Sequence, residues 1–198
     1  MRNVLLTLAF VVLSAGQARA EWQLRPFAGL TFGGGTTFFD NEHAAGDPNV
    51  VLGFNGVLLG ELIGVEGDLG HGPGFFQSGD HKVAASILVT SSSVTTLTGN
   101  VVIALPRRMA EYTLRPYFVA GTGLMHVRSV DPNNVLSVST TSPAVDVGGG
   151  ATGFLTDRIG VSWDVRYFHT VGGNEGSFSI GKERLSCWRA IMALAFRN

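Results

Sequence analysis

Apolar residues alternate with polar or small residues in eight segments of about ten residues, and this alternation most constrains the fold. A period of two places successive side chains on opposite faces of a β-strand, whereas an amphipathic helix repeats every 3.6 residues. In the clearest segment, Ile159, Val161 and Trp163 share one face, while Ser162 and Asp164 share the other. The predicted strands span residues 22–32, 51–59, 62–70, 95–105, 114–127, 145–155, 159–169 and 185–196.

The connections between these segments alternate strictly between long and short. The long ones span residues 34–50, 71–94, 128–144 and 170–184, and the short ones 60–61, 106–113 and 156–158. If neighbouring strands are antiparallel, all long loops leave one end of the sheet and all short turns leave the other. This asymmetry is typical of bacterial outer-membrane barrels.

A soluble barrel and a transmembrane barrel differ in which face of their strands, apolar or polar, points outward. A soluble eight-stranded barrel with an apolar interior needs many charges on its outer surface, but Lys82 and Lys182 are the only lysines, and both fall in predicted loops. The polar strand face is mostly Gly, Ser, Thr and Asn, which suits a narrow interior. We therefore predict an all-β protein, an eight-stranded antiparallel up-and-down transmembrane β-barrel whose eighth strand pairs with its first.

The first twenty residues have the features of a secretory signal peptide. A positive start at Arg2 precedes an apolar run of about ten residues, and the small residues Ala18 and Ala20 flank a cleavage point before Glu21. We predict a signal peptide at 1–20 and one barrel domain at 21–198, located in the outer membrane of a Gram-negative-type bacterium. Without 1–20 the chain has 12 basic and 15 acidic residues, a net charge of −3, which argues against a nucleic-acid partner.

Two groups of residues are the candidate sites. Charges that face the inside of so narrow a barrel must neutralise one another. The predicted interior polar cluster consists of Arg25, Asn55, Glu66, Asp68, Asn100, Asp146, Asp164, Arg166 and Arg189. Its alternative role is an ion or proton path. The predicted membrane-interface aromatics are Trp22, Tyr117, Trp163, Tyr167, Trp188 and Phe196, with Phe168 near the long-loop end.

Three strand motifs resemble those of the outer-membrane protein β-barrel domain family, the small OmpA-like and OmpX-like barrels. They are Leu97-Thr98-Gly99-Asn100-Val101-Val102, the segment 114–124 with its Arg-Pro-Tyr start and Gly-x-Gly end, and the hairpin 156–168 with Asp157-Arg158 and Arg166-Tyr167-Phe168. The resemblance covers essentially all of residues 21–198. It implies the barrel architecture but no catalytic or binding chemistry. Such barrels usually end on an aromatic residue that the assembly machinery recognises; here Phe196 is followed by Arg197 and Asn198.

The sequence does not predict a catalytic, cofactor or metal site. His126 is followed by Val127 and Arg128, unlike the His-x-Ser-Asn pattern of lipid A deacylase barrels, and His169 has Ser177 nearby only along a loop. The loop residues His43, His71 and His81 lack metal-ligand spacing. Cys187 is interpreted as a small strand residue rather than a reactive thiol, because no basic or catalytic partner is adjacent to it along the chain.

The favoured function is a structural or surface-interaction role, in which a side-chain-filled barrel displays four extracellular loops. The expected partners are outer-membrane lipids, the barrel-assembly machinery and an unknown extracellular ligand at the loops. Two alternatives stay open: a narrow porin-like pore, and a lipid-modifying enzyme that uses His169 or Ser177.

Overall fold

The backbone closes into a single barrel of eight antiparallel strands, each paired with its neighbours along the chain, and β8 pairs with β1. The computed structural model describes residues 21–33, 48–74, 91–106, 114–130, 137–171 and 185–198. The strands are β1 (Glu21–Phe32), β2 (Asn49–Leu59), β3 (Ile63–Pro73), β4 (Ser91–Ala104), β5 (Leu114–Val130), β6 (Ser137–Phe154), β7 (Ile159–Thr170) and β8 (Ser186–Arg197). The predicted fold class, strand number and closing pair are therefore confirmed.

Side chains alternate between the barrel interior and the outer surface along every strand. In β1, for example, Gln23 and Arg25 are buried while Trp22 and Leu24 are exposed. The outer face carries large apolar side chains such as Leu58, which is 54% exposed, and Met192, which is 65% exposed. This face is the lipid-facing one, because such a continuous apolar surface is not tolerated in water. Among the described residues, no helix is long and apolar enough to span a membrane.

The strand register sets the tilt and height of the barrel. Trp22 faces outward and pairs with a residue on β2, which in turn pairs with a residue on β3, and so on around the barrel. This series of paired residues returns to β1 at Phe32, ten residues further along the chain than Trp22. With about 3.3 Å per residue and about 4.8 Å between strands, that shift corresponds to a tilt of roughly 40°. Trp22 and Phe32 are then separated by about 25 Å along the barrel axis, which is the height of an outer-membrane apolar band.

The outer edge of the apolar band is visible on β3 to β6. Leu69, Leu97 and Leu124 form the last apolar row across β3, β4 and β5. The next outward row is polar: the Nδ1 atom of His71 lies 2.9 Å from the hydroxyl of Thr95, and the Nδ1 atom of His126 lies 2.8 Å from the hydroxyl of Thr141. The lipid-facing band therefore ends between these two rows.

The prediction of a long loop between β5 and β6 is wrong. Residues 128–144 were expected to be a loop, but β5 continues to Val130 and β6 begins at Ser137, so only residues 131–136 connect them. The reason is that this outer part of the hairpin lies above the apolar band, where the outward side chains are polar, such as His126, Arg128 and Thr141, and the apolar outward face disappears. Backbone pairing continues without it, from Met125 opposite Ser142 up to Val130 opposite Ser137.

Candidate functional site: the charged interior of the barrel

All nine residues of the interior polar cluster lie inside the barrel, and none is more than 4% exposed. They come from β1, β2, β3, β4, β6, β7 and β8, each at a position whose sequence neighbours face the lipid. A buried charge is tolerated only when other charges or hydrogen bonds compensate it. Their contacts therefore determine what the interior can do.

Arg166 is the centre of the network. Its Nε and Nη2 atoms donate to the two carboxylate oxygens of Asp164, at 2.7 and 2.8 Å. The same guanidinium donates from Nη1 and Nη2 to both oxygens of Glu66, at 2.5 and 3.1 Å. Glu66 is on β3 and Arg166 is on β7, so this contact crosses the lumen between opposite walls. The Asn100 amide also donates to Glu66, at 2.9 Å.

Arg189 forms the second ion pair. Its Nη1 and Nη2 atoms donate to the two oxygens of Asp68, at 2.9 and 2.8 Å. The guanidinium also lies 4.9 Å from the ring centroid of Phe27 and 4.6 Å from that of Phe168. The geometry is bidentate and the flanking rings shield the pair, which is the arrangement that makes a buried ion pair strong.

Three predicted members stand outside these hydrogen-bonded pairs: Asp146, Arg25 and Asn55, whose side-chain oxygen is buried without a hydrogen bond from the described residues. Asp146 lies 3.8 Å from the Nη1 atom of Arg166, and neither of its oxygens accepts a hydrogen bond from a described residue. The Nε and Nη2 atoms of Arg25 donate to the side-chain carbonyl of Gln23. The expectation that Arg25 helps to neutralise the interior carboxylates is therefore wrong among the described residues, because a neutral amide on the same strand is its acceptor.

Tyr117 was expected at the membrane interface, and this expectation is wrong. Tyr117 is 8% exposed and points into the barrel, where its hydroxyl donates to Asp164 at 2.8 Å and lies 3.3 Å from the Ser162 hydroxyl. Phe168 also points inward, against Arg189. Both residues occupy inward positions of their strands, and strand alternation decides orientation whatever the residue type.

The other interface aromatics face outward. Trp22 and Phe196 lie at the short-turn end, and Tyr167 and Trp188 lie near the other end with ring centroids 5.1 Å apart. Trp163 also faces outward, but it lies four residues after Ile159, the first residue of β7. At this tilt the distance from that end is about 10 Å along the barrel axis. It is therefore inside the apolar band rather than at its edge.

The histidines do not form a hydrolytic site among the described residues. The Nε2 atom of His126 is 3.5 Å from the Ser139 hydroxyl, and its Nδ1 atom contacts the Thr141 hydroxyl where a triad places a carboxylate. His169 stacks on Tyr167, at 6.4 Å between ring centroids. No group of three His, Cys, Asp or Glu residues in the described ranges could hold a metal ion. His43, His81 and Ser177 lie outside those ranges.

Comparison with known proteins agrees with this architecture. The family described as "Outer membrane protein beta-barrel domain" matches residues 5–181. The chain belongs to this family. It is an outer-membrane barrel, as the motifs predicted, and no curated protein matches it in sequence.

Solved structures show the same fold at low sequence identity. Neisserial surface protein A (NspA) has a TM-score of 0.58 at 10% identity, with 87% of this chain and 95% of that chain covered. OprG of Pseudomonas aeruginosa has a TM-score of 0.53 at 13% identity, over 92% of this chain and 98% of that chain. The N-terminal barrel domain of OprF from the same organism has a TM-score of 0.52 at 14% identity, over 92% and 100%.

Proposed function

We propose that this family member has a structural or surface-interaction role in the outer membrane and does not conduct solutes through its lumen. The observation that supports this is the Arg166 bridge, which joins Glu66 on β3 to Asp164 and Arg166 on β7 across the barrel. Opening a path would separate buried charges from their partners, at several kcal/mol for each broken pair.

The proposed role then uses the lipid-facing band and the long-loop end. At the long-loop end, the outer part of the β5–β6 hairpin projects six residues beyond Leu124, roughly 20 Å along the strand, with Ser139 and Arg128 exposed. The proposed partners are lipids along the band, the assembly machinery during insertion and an extracellular ligand at the long-loop end. The proposed route to the membrane is export through residues 1–20 followed by cleavage before Glu21.

Single-channel recording separates this proposal from a narrow pore. The protein extracted from outer membranes is added to planar bilayers, and a conducting porin added under the same conditions is the positive control. We expect insertion without a steady conductance, because the paired charges block the axis. A reproducible open state of defined conductance contradicts the proposal and assigns the interior to a pore.

A further inference from the structure

A cavity of about 250 Å³ lies inside the short-turn end of the barrel, and we call it the mouth cavity. Its walls include Glu21, Leu59, Ala104, Phe154 and Arg197, each of which is at or next to the short-turn end of its strand. In a barrel of this family, that end faces the periplasm. An apolar cavity of about 150 Å³ holds benzene, so the mouth cavity has room for a small ring with a charged substituent.

Arginines outnumber carboxylates among the described residues that line the mouth cavity. Three arginines, Arg25, Arg115 and Arg197, face it with one carboxylate, Glu21. Arg197 is already close to that carboxylate, at 3.5 Å from Nη1 to Oε1. Arg115 donates to the main-chain carbonyls of Leu105, Gly60 and Glu61. Among the described residues that line the cavity, arginines therefore outnumber carboxylates by three to one.

Arg25 has a donor that no described residue uses. Its side chain is 1% exposed, and its Nη1 atom has no hydrogen-bond acceptor, although Nε and Nη2 both donate to Gln23. The guanidinium lies 5.2 Å from the ring centroid of Tyr117, which also lines the cavity. A buried guanidinium without a carboxylate is costly, and an anion that supplies an acceptor relieves that cost.

We propose that the mouth cavity binds a small organic carboxylate from the periplasmic side. One carboxylate oxygen accepts a hydrogen bond from Nη1 of Arg25. The apolar part of the ligand lies against Leu59, Ala104 and Phe154, which is why an organic acid suits the cavity better than inorganic phosphate. This site does not depend on any partner at the long-loop end, and Tyr117 connects its wall to the ion-pair network through Asp164.

Calorimetric titration of the detergent-extracted protein with benzoate tests the site. Benzamide has the same shape without the charge, and inorganic phosphate has the charge without the apolar part. We expect saturable binding of benzoate and at least tenfold weaker binding of the other two. The variant Arg25→Gln is expected to bind benzoate at least tenfold more weakly. Arg128→Gln removes the same charge at the opposite end of the barrel and is expected to bind like the unmodified protein.

A second variant covers the case in which Arg25→Gln does not fold. Ala104→Leu adds volume to the cavity wall, keeps every charge and is expected to abolish benzoate binding. The shift in gel mobility on boiling establishes that each variant is a folded barrel. The proposal is overturned if benzoate does not bind saturably, if phosphate or benzamide binds as tightly, if Arg128→Gln causes the same loss as Arg25→Gln, or if folded Arg25→Gln or Ala104→Leu binds benzoate normally.

Discussion

Each arginine inside the barrel has different acceptors, and these acceptors determine the effect of removing it. Arg166 shares its donors between Glu66 and Asp164, and Arg189 gives two donors to Asp68 alone. Without Arg189, the remaining charged neighbour of Asp68 is the Nη1 atom of Arg166, which at 3.8 Å is too far away for a hydrogen bond. The pair of Arg189 and Asp68 is therefore the better one for measuring the cost of a stranded buried charge.

Arg189→Met keeps an apolar side chain between Phe27 and Phe168 and removes the guanidinium. We expect it to lower the free energy of unfolding by about 3–5 kcal/mol, because the Asp68 carboxylate stays buried without its partner. The double variant Arg189→Met with Asp68→Asn is expected to recover most of this loss. Urea unfolding in lipid vesicles, followed by tryptophan fluorescence, measures both. Equal losses in the single and double variants would show that the ion pair is not the source of the effect.

The burial of the nine interior polar residues follows from strand alternation alone, but their pairing does not. Alternation places Arg25 and Arg166 on the same inner surface, yet only side-chain reach across the lumen decides that Arg166 contacts Glu66 while Arg25 contacts Gln23. The orientation of Tyr117 was available from the sequence. Pro116 and Phe118 flank it as outward residues, so alternation required the tyrosine to point inward.

At the scale of the strands, the sequence predicted membrane-embedded segments well and their outer extensions poorly. β7 was expected at 159–169 and is Ile159–Thr170, whereas β6 was expected from residue 145 and begins at Ser137. The lipid imposes alternation only on the part of a strand that it surrounds. Above Leu124 and Pro143 the outward side chains are polar, such as His126 and Thr141, while the inward Met125 and Val127 stay buried, so an apolar outward face no longer marks the strand.

Inward-facing and outward-facing glycines on neighbouring strands differ in the space available for a side chain. A Cβ atom at the inward-facing Gly123 of β5 would lie 2.0 Å from the carbonyl oxygen of Leu97 and 2.6 Å from the Cα atom of Thr98, and neither backbone atom can move freely. A Cβ atom at the outward-facing Gly99 of β4 would have nothing within 4 Å. The inner surface of this curved sheet is crowded where the outer surface is open.

We expect Gly123→Ala to lower the free energy of unfolding by about 1–3 kcal/mol or to prevent refolding, because the backbone must separate to admit the methyl group. Gly99→Ala is the matched control, and its effect is expected to lie within about 0.5 kcal/mol of zero. Urea midpoints and the fraction of heat-modifiable protein after refolding measure both. If both substitutions are tolerated equally, close strand approach at Gly123 is not required.

The whole molecule has two chemically different ends, and the strand register sets the distance between them. The shift of ten residues around the closed barrel spaces Trp22 and Phe32 by the height of the apolar band, so one end reaches the periplasm while the other reaches the cell surface. The short-turn end holds the arginine-rich mouth cavity, and the other end holds the polar row of His71, Thr95, His126 and Thr141. Orientation in the membrane therefore decides which of these features meets the outside of the cell.

The orientation of the barrel in the membrane can be measured with single introduced cysteines, because the native Cys187 is buried and is expected not to react with the label. Cys187 is 3% exposed and points into the barrel among Met125, Phe168 and Leu185. A cysteine in place of Ser139, on the outer β5–β6 hairpin, is expected to react with a membrane-impermeant maleimide on intact cells. A cysteine in place of Asp157, in the β6–β7 turn, is expected to react only after the outer membrane is permeabilised. The unmodified protein, with Cys187 alone, is expected to stay unlabelled in both cases. Labelling of Asp157→Cys but not Ser139→Cys on intact cells would invert the orientation, and would place the mouth cavity at the cell surface.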